Sequence, residues 1–95
     1  MHVITRKRLR DFAWHHPDAA EPLDRWFHVV AKTDFESFSS LRKTFSTADK
    51  VGRFTVFNIG GNKYRLITAI HYNRKRIYIR NIMTHAEYTT SNWNV

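Results

Sequence analysis

The 95-residue chain has no cysteine, only three glycines and two prolines, and no long hydrophobic run. The lack of cysteine excludes disulfide bonds, zinc–thiolate sites and a cysteine nucleophile, and it is typical of a reducing compartment. No apolar stretch approaches the roughly 20 residues that span a bilayer, and the basic N-terminus lacks the apolar region of a secretory signal. We therefore expect a cytoplasmic protein that does not enter a membrane.

Acidic residues are also scarce: eight Asp and Glu stand against sixteen Lys and Arg, which gives a net charge of +8 and a pI near 10.3. Such an excess of positive charge favours a polyanionic partner, either a nucleic acid, an acidic protein or a membrane surface. Apolar residues make up 42% of the chain and aromatic residues 15%, which is enough for one packed core. We expect a single domain over residues 1–95.

The first half of the chain, about residues 5–45, has the three- and four-residue apolar spacing of amphipathic helices. A short edge strand is predicted before it, over residues 1–4. Thr5 is predicted to cap the first helix, Pro17 to end it, and Asp18 to cap the second. A third helical segment is predicted over residues 36–43, followed by a loop over residues 46–50.

The second half, about residues 53–83, has the alternation of β-strands. Gly60-Gly61-Asn62 and Asn73-Arg74-Lys75 predict the two turns between three strands. In the last strand the predicted alternation places Ile77, Ile79 and Asn81 on one face, and Tyr78, Arg80 and Ile82 on the other. Residues 84–95 are predicted to form a turn or a short helix. Helices followed by antiparallel strands indicate the α+β fold class.

The six histidines show no metal-ligand spacing such as HxxxH or HExxH, and no acidic cluster accompanies them. We expect no metal site and no cofactor. The remaining candidate chemistry is cleavage of RNA by its own 2′-hydroxyl, which needs a base, an acid and cations near the phosphate. Residues of the right types in the second half are Lys50, Lys63, Arg65, His85 and Tyr88.

The same side chains also fit plainer roles. Arg65 fits a surface ion pair, His85 a cap of the turn after Met83, and Tyr88 ordinary packing. From the residues alone, RNA cleavage and non-catalytic binding of RNA or of an acidic partner both stay open. A DNA-binding repressor is disfavoured, because a polar-faced helix pair joined by a tight glycine turn is not visible.

Residues 57–67 (FNIGGNKYRLI), followed by residues 83–88 (MTHAEY), resemble the HigB family of bacterial toxins within the RelE-like superfamily. The opening residues MHVIT with the basic segment after them, and the run FESF at 35–38, are similar to that family too. The resemblance therefore covers nearly the whole chain. It implies a small microbial-RNase-like domain, in which N-terminal helices pack on one face of a curved antiparallel sheet and RNA binds the other.

The resemblance also implies a toxin of a type II toxin–antitoxin system. Such a toxin is a ribosome-dependent, metal-independent endoribonuclease that cleaves translated mRNA by transesterification. Its expected partners are the ribosome, mRNA and a cognate HigA-like helix-turn-helix antitoxin, with which it forms a hetero-oligomer. Arg65 matches the phosphate-contacting arginine of the family, His85 its C-terminal histidine and Tyr88 the tyrosine near the scissile phosphate. Lys50 and Lys63 match less closely, and the acid and base roles stay unassigned.

Further cations are expected to bind RNA or ribosomal RNA through the phosphate backbone, which carries no sequence information. An ordinary solvated surface is the alternative for the basic N-terminal helix. The residues of this expected set are Arg6, Lys7, Arg8, Arg10, Arg53, Arg74, Lys75 and Arg76.

Overall fold

A computed structural model describes residues 1–90 and 93 of the chain. The α+β fold class predicted from the sequence is confirmed. No helix of the described residues is long and apolar enough to cross a membrane. In chain order the elements are β1 (His2–Ile4), α1 (Lys7–His15), α2 (Ala20–Ala31), α3 (Phe38–Thr44), β2 (Asp49–Val51), β3 (Phe54–Ile59), β4 (Tyr64–His71), β5 (Arg76–Thr84) and α4 (His85–Thr90).

The strands form one sheet in the order β1-β5-β4-β3-β2. Strands β3 to β5 are antiparallel neighbours, as expected, and β2 is a further antiparallel strand beside β3. The glycines of the β3–β4 turn have the positive φ values that only glycine adopts easily, +64° at Gly60 and +69° at Gly61. The predicted first strand is present at one edge. It runs parallel to β5, so the sheet is mixed.

The two faces of the sheet have different surroundings. Helices α1 to α3 cover one of them, which we call the helix face, where Phe57, Leu66 and Ile77 pack against Leu23 and Trp26 in the main core. On the other face, which we call the open face, a smaller apolar cluster is formed by Phe54, Val56, Ile67 and Met83, with Tyr88 of α4 and Trp93 against it. On the open face, the cluster is therefore covered by the short helix α4 and by Trp93.

A β-bulge interrupts the pairing of β4 with β5. Ile67 pairs with Asn81 and Thr68 with Ile79, so Arg80 is an extra residue without an opposite partner. The predicted alternation is wrong beyond this point, because the extra residue lets both Ile79 and Ile82 face the main core. The side chain of Arg80 reaches the open face, where its Cζ lies 5.9 Å from the Phe54 ring centroid.

Three local predictions are corrected by the structure. Thr5 has φ +72° and does not cap α1, whose N-cap is Arg6. Asp18 lies in a 3₁₀ turn and accepts hydrogen bonds from distant residues, so it does not cap α2. Residues 49–50, predicted as loop, belong to β2 because they find partners on β3. The predicted C-terminal segment begins with α4, while residues 91, 92, 94 and 95 lie outside the described part.

Candidate active site on the open face

Arg65 is the only charged side chain that is buried among the described residues, with 8% of its surface exposed. It lies on β4 and points to the open face. Its Nη1 donates to the backbone carbonyls of Asn62, at 3.3 Å, and Tyr64, at 3.2 Å. Its Nη2 donates to Asn62 Oδ1 at 2.5 Å and to His85 Nδ1 at 2.8 Å. The guanidinium is thus held in place by the protein itself.

The contact between Arg65 and His85 indicates which tautomer the imidazole adopts. A guanidinium has only N–H donors, so the ring nitrogen at 2.8 Å must accept. Nδ1 of His85 therefore carries no proton, and the proton of the neutral ring is on Nε2. Because His85 is exposed, this N–H is available to a phosphate oxygen.

Helix α4 holds His85 and Tyr88 above Arg65 through a capping box. The backbone N–H of Thr84 donates to Glu87 Oε1 at 2.9 Å, and the N–H of Glu87 donates to Thr84 Oγ1 at 3.2 Å. Hydrogen bonds from the backbone and the side chain of Thr84 to the Glu87 carboxylate lower the pKa of Glu87. The N–H of His85 also donates to the carbonyl of Lys63 at 2.8 Å, which ties α4 to the β3–β4 turn.

Tyr88 lies beside the guanidinium, with its ring centroid 5.6 Å from the Cζ of Arg65. Its other neighbour is Trp93, which stacks on it at 5.0 Å between centroids. Burial raises the pKa of Tyr88 above 10.0, and the negative charge of Asp49 raises it further, while the charge of Arg65 opposes the shift. The phenol therefore stays protonated at neutral pH.

A depression of about 370 Å³ lies at this cluster, and two of the residues that line it were missed by sequence reasoning. Arg42 comes from the end of α3 and Asp49 from the start of β2. No motif marks either residue, since the fold alone brings them beside Arg65 and Tyr88. The carboxylate of Asp49 adds a proton acceptor to the cluster. The lining residues are Arg42, Thr47, Ala48, Asp49, Val56, Asn58, Arg65 and Tyr88.

Three of the five predicted site residues do not line this depression: His85, which contacts Arg65 beside it, and the two lysines. Lys50 pairs with Thr55, so its side chain points to the helix face. Lys63 is exposed in the turn, and its Nζ lies 3.2 Å from Asp18 Oδ2. Of the five candidates, the structure therefore joins Arg65, His85 and Tyr88 and separates the two lysines from them.

The predicted RNA-binding cations are spread over several surfaces. Arg53 and Arg76 lie on or beside the open face, next to Phe54 and His71. Other members of the set already have protein contacts: Arg6 lies 3.6 Å above the Phe27 ring, Arg8 donates to the carbonyl of Arg80, and Lys75 pairs with Asp34. Lys7, Arg10 and Arg74 are exposed.

The positive charge is unevenly distributed along the sequence. Residues 1–37 contain six Lys and Arg and six Asp and Glu, whereas residues 38–95 contain ten and two. The whole formal net charge therefore comes from the part of the chain that forms α3 and the strands β2 to β5. A polyanion is attracted to this part of the molecule.

Comparison with known proteins is consistent with these features. The model of a family described as HigB_toxin, the RelE-like toxic component of a toxin–antitoxin system, matches residues 19–91. The chain is 35% identical to the mRNA interferase toxin HigB of Escherichia coli K12 over 91 residues, which are 93% of this chain and 88% of that protein. The mRNA interferase HigB of Shigella flexneri matches to the same extent, and that of Escherichia coli O6:H1 is 31% identical.

The family match and the sequence identity assign the chain to the same family. The family match covers most of the chain, and the aligned relatives span 93% of it. A toxic component of such a system has an antitoxin as its partner. The resemblance inferred from the sequence is confirmed, and the chain belongs to the HigB family of RelE-like toxins.

Proposed function

We propose that this toxin is an endoribonuclease that cleaves translated mRNA on the ribosome, with its own side chains as acid, base and cation. The observation that carries the proposal is the contact of Arg65 with both His85 and Tyr88 on a basic face. The names of its relatives, which are mRNA interferases, support the same activity.

The reaction is a transesterification within the RNA. The 2′-oxygen attacks the adjacent phosphorus, the bond from phosphorus to the 5′-oxygen breaks, and the products carry a 2′,3′-cyclic phosphate and a 5′-hydroxyl. In our assignment Asp49 accepts the proton of the 2′-hydroxyl and Tyr88 gives a proton to the leaving 5′-oxygen. Arg65 supplies positive charge, and the Nε2–H of His85 binds a phosphate oxygen as charge develops there.

The partners follow from the family and from the charge. We propose that the exposed cations of α1, Lys7 and Arg10, bind the backbone of ribosomal RNA. We also propose that the antitoxin is a HigA-like helix-turn-helix protein that forms a hetero-oligomer with this chain.

The test is to express the chain from a tightly repressed promoter and to map new 5′ ends on a translated message. The same message without its start codon is the control for translation. His85→Ala is the informative variant because the side chain is exposed, and His28→Ala, an exposed histidine on α2, is its matched control.

We expect cuts inside the reading frame that disappear when the message is not translated. We also expect the cuts to disappear with His85→Ala and to persist with His28→Ala. Equal cutting of both messages would instead make the protein a free ribonuclease. A folded chain that binds RNA and makes no cuts would contradict the catalytic proposal and leave a basic RNA-binding module.

A further inference from the structure

The open face carries a second group of cationic and aromatic side chains at the end of the sheet away from Arg65. We call it the distal patch and define it as Arg53, Phe54, His71, Tyr78 and Arg80. All of them except Tyr78 border a depression of about 400 Å³, whose floor includes Ala69 and Ile70. Nothing in the proposed cleavage reaction uses these side chains.

Two arginines of the distal patch lie against one aromatic ring. The Cζ of Arg53 is 5.1 Å and that of Arg80 is 5.9 Å from the ring centroid of Phe54. Neither guanidinium has a carboxylate partner within residues 1–90 and 93. Both charges are exposed, so they are available to an anion that approaches the depression.

The other two members of the patch are rings that face outward. His71 lies edge-on to Tyr78, with 5.2 Å between ring centroids and 76° between ring planes. His71 is exposed and Tyr78 is half-buried. Rings that are supported on one side and open on the other are the surfaces on which RNA bases stack.

The distal patch lies on the same face as the candidate active site. Ala69, in the floor of the patch, follows Arg65 by four residues on β4, a separation of about 13 Å at the usual rise of a strand. Between the two sites the face is formed by Val56 and Ile67, which pair across β3 and β4. The bulge at Arg80 adds a further cationic side chain to a face that already holds Arg53 and Arg65.

We propose that the distal patch is a binding subsite for the single-stranded RNA that flanks the cleaved bond. Arg53 and Arg80 bind phosphate groups there, and the rings of His71 and Tyr78 stack with a base. The strand then crosses the apolar middle of the open face to reach Arg65. This inference rests on the proposed function, since it assumes that the bound polymer is the substrate.

An acidic segment of the antitoxin is the competing ligand for a cationic surface. Exposed rings beside unpaired arginines favour RNA, because a base and a phosphate use both kinds of group at once, whereas carboxylates use only the charges. The continuity with the cluster at Arg65 favours RNA as well. The antitoxin therefore enters the test as the alternative outcome.

The test is fluorescence anisotropy with a short labelled single-stranded RNA and the full chain in the His85→Ala form, which separates binding from cleavage. Arg80→Ala is expected to weaken binding and to reduce the slope of log affinity against log salt by about 0.7, the value for one phosphate contact with a single strand. Tyr78→Ala is expected to weaken binding about tenfold with the slope unchanged, because stacking involves no counterion.

Arg25→Ala is the matched control, because it removes one exposed arginine from α2 on the other side of the molecule. Circular dichroism confirms that each variant is folded. Equal losses for Arg25→Ala and Arg80→Ala, or no binding by the parent at low salt, would overturn the subsite.

Three further outcomes separate this inference from its alternatives and from the proposed function. Loss of antitoxin binding with unchanged RNA binding would assign the patch to the protein partner and overturn the subsite. Translation-dependent cleavage by an Arg80→Ala variant at the parent rate would also overturn it, yet leave the nuclease proposal intact. Loss of RNA binding with Arg80→Ala, together with no cuts by the parent chain that keeps His85, would support the subsite and contradict the nuclease.

Discussion

Nη2 of Arg65 lies 2.8 Å from Nδ1 of His85, and this contact joins two residues that are 20 positions apart in the sequence. It has two consequences. The imidazole is fixed in the form with its proton on Nε2, and the arginine is used to orient a histidine as well as to supply charge. Both terminal nitrogens of the guanidinium also donate to Asn62.

The tautomer of His85 is directly measurable. In a long-range ¹H–¹⁵N spectrum of labelled protein, we expect Nδ1 of His85 to be unprotonated and Nε2 to carry the hydrogen. His28 is an internal control of opposite sign, since its Nδ1 lies 2.8 Å from the carbonyl of Asp24, which only accepts. A protonated Nδ1 on His85 in the neutral ring would contradict the assignment.

Asn62 is predicted to be a positioning residue. Its Oδ1 accepts from Arg65 Nη2 at 2.5 Å, so Asn62→Ala leaves a donor of a buried guanidinium without its partner. We expect a loss of about 1–3 kcal/mol in the free energy of unfolding and slower cleavage. Asn62→Asp keeps an acceptor and should restore most of the cleavage rate. A rate unchanged by Asn62→Ala, with Asn73→Ala as the control in another turn, would show that Arg65 needs no such support.

The bulge in β5 predicts that two neighbouring substitutions change the free energy of unfolding by very different amounts. Ile82 is 9% exposed and belongs to the main core, whereas Asn81 is exposed. Ile82→Ala is expected to reduce the free energy of unfolding by about 2–5 kcal/mol. Asn81→Ala is expected to reduce it by only about 0.5–1.5 kcal/mol, through loss of the bond from the backbone N–H of Ile82 to Asn81 Oδ1. Denaturant titration measures both values, and the reverse order would mean that β5 keeps a regular alternation.

These elements show what the sequence allows one to predict. The alternation of β3 and β4, the glycine turn at residue 60 and the short helix after Thr84 follow from local patterns, and the structure contains all three. The bulge at Arg80 is invisible locally, because it depends on which residues of β4 lie opposite. Asp49 reaches the candidate site for the same reason: β2 is three residues long and forms only by pairing with β3.

Asp18 is predicted to link the stability of the fold to pH. Its carboxylate accepts from the hydroxyl of Tyr64 at 2.5 Å and from Nζ of Lys63 at 3.2 Å, and these contacts lower the pKa of Asp18 below its ordinary 3.8. Because the pKa is lower in the folded state, this contribution to stability is fully present above the ordinary pKa. It disappears as the pH falls through the lowered value.

Asp18→Asn should therefore reduce the melting temperature at neutral pH and flatten its fall below pH 3.8. Thermal melts followed by circular dichroism over that range measure the effect. Asp24→Asn, which replaces an exposed carboxylate on α2 that has no contact with Tyr64, is the control. Parallel melting curves for Asp18→Asn and the parent would show that the bond to Tyr64 contributes nothing.

Tyr88 is predicted to be the proton donor to the leaving oxygen, and its pKa makes that role testable. Tyr88→Phe keeps the ring beside Arg65 and against Trp93, so the fold should persist while cleavage slows by about 10²–10⁴-fold.

Since burial and Asp49 raise the pKa of the phenol above 10.0, the parent should lose activity on the alkaline side only above that pH. Asp49→Asn removes one of these causes, so a spectroscopic titration should find a lower pKa for Tyr88 in that variant. Tyr72→Phe, on the helix face, is the matched control. Cleavage by Tyr88→Phe at the parent rate would transfer the role of acid to another group, with His85 the next to be tested.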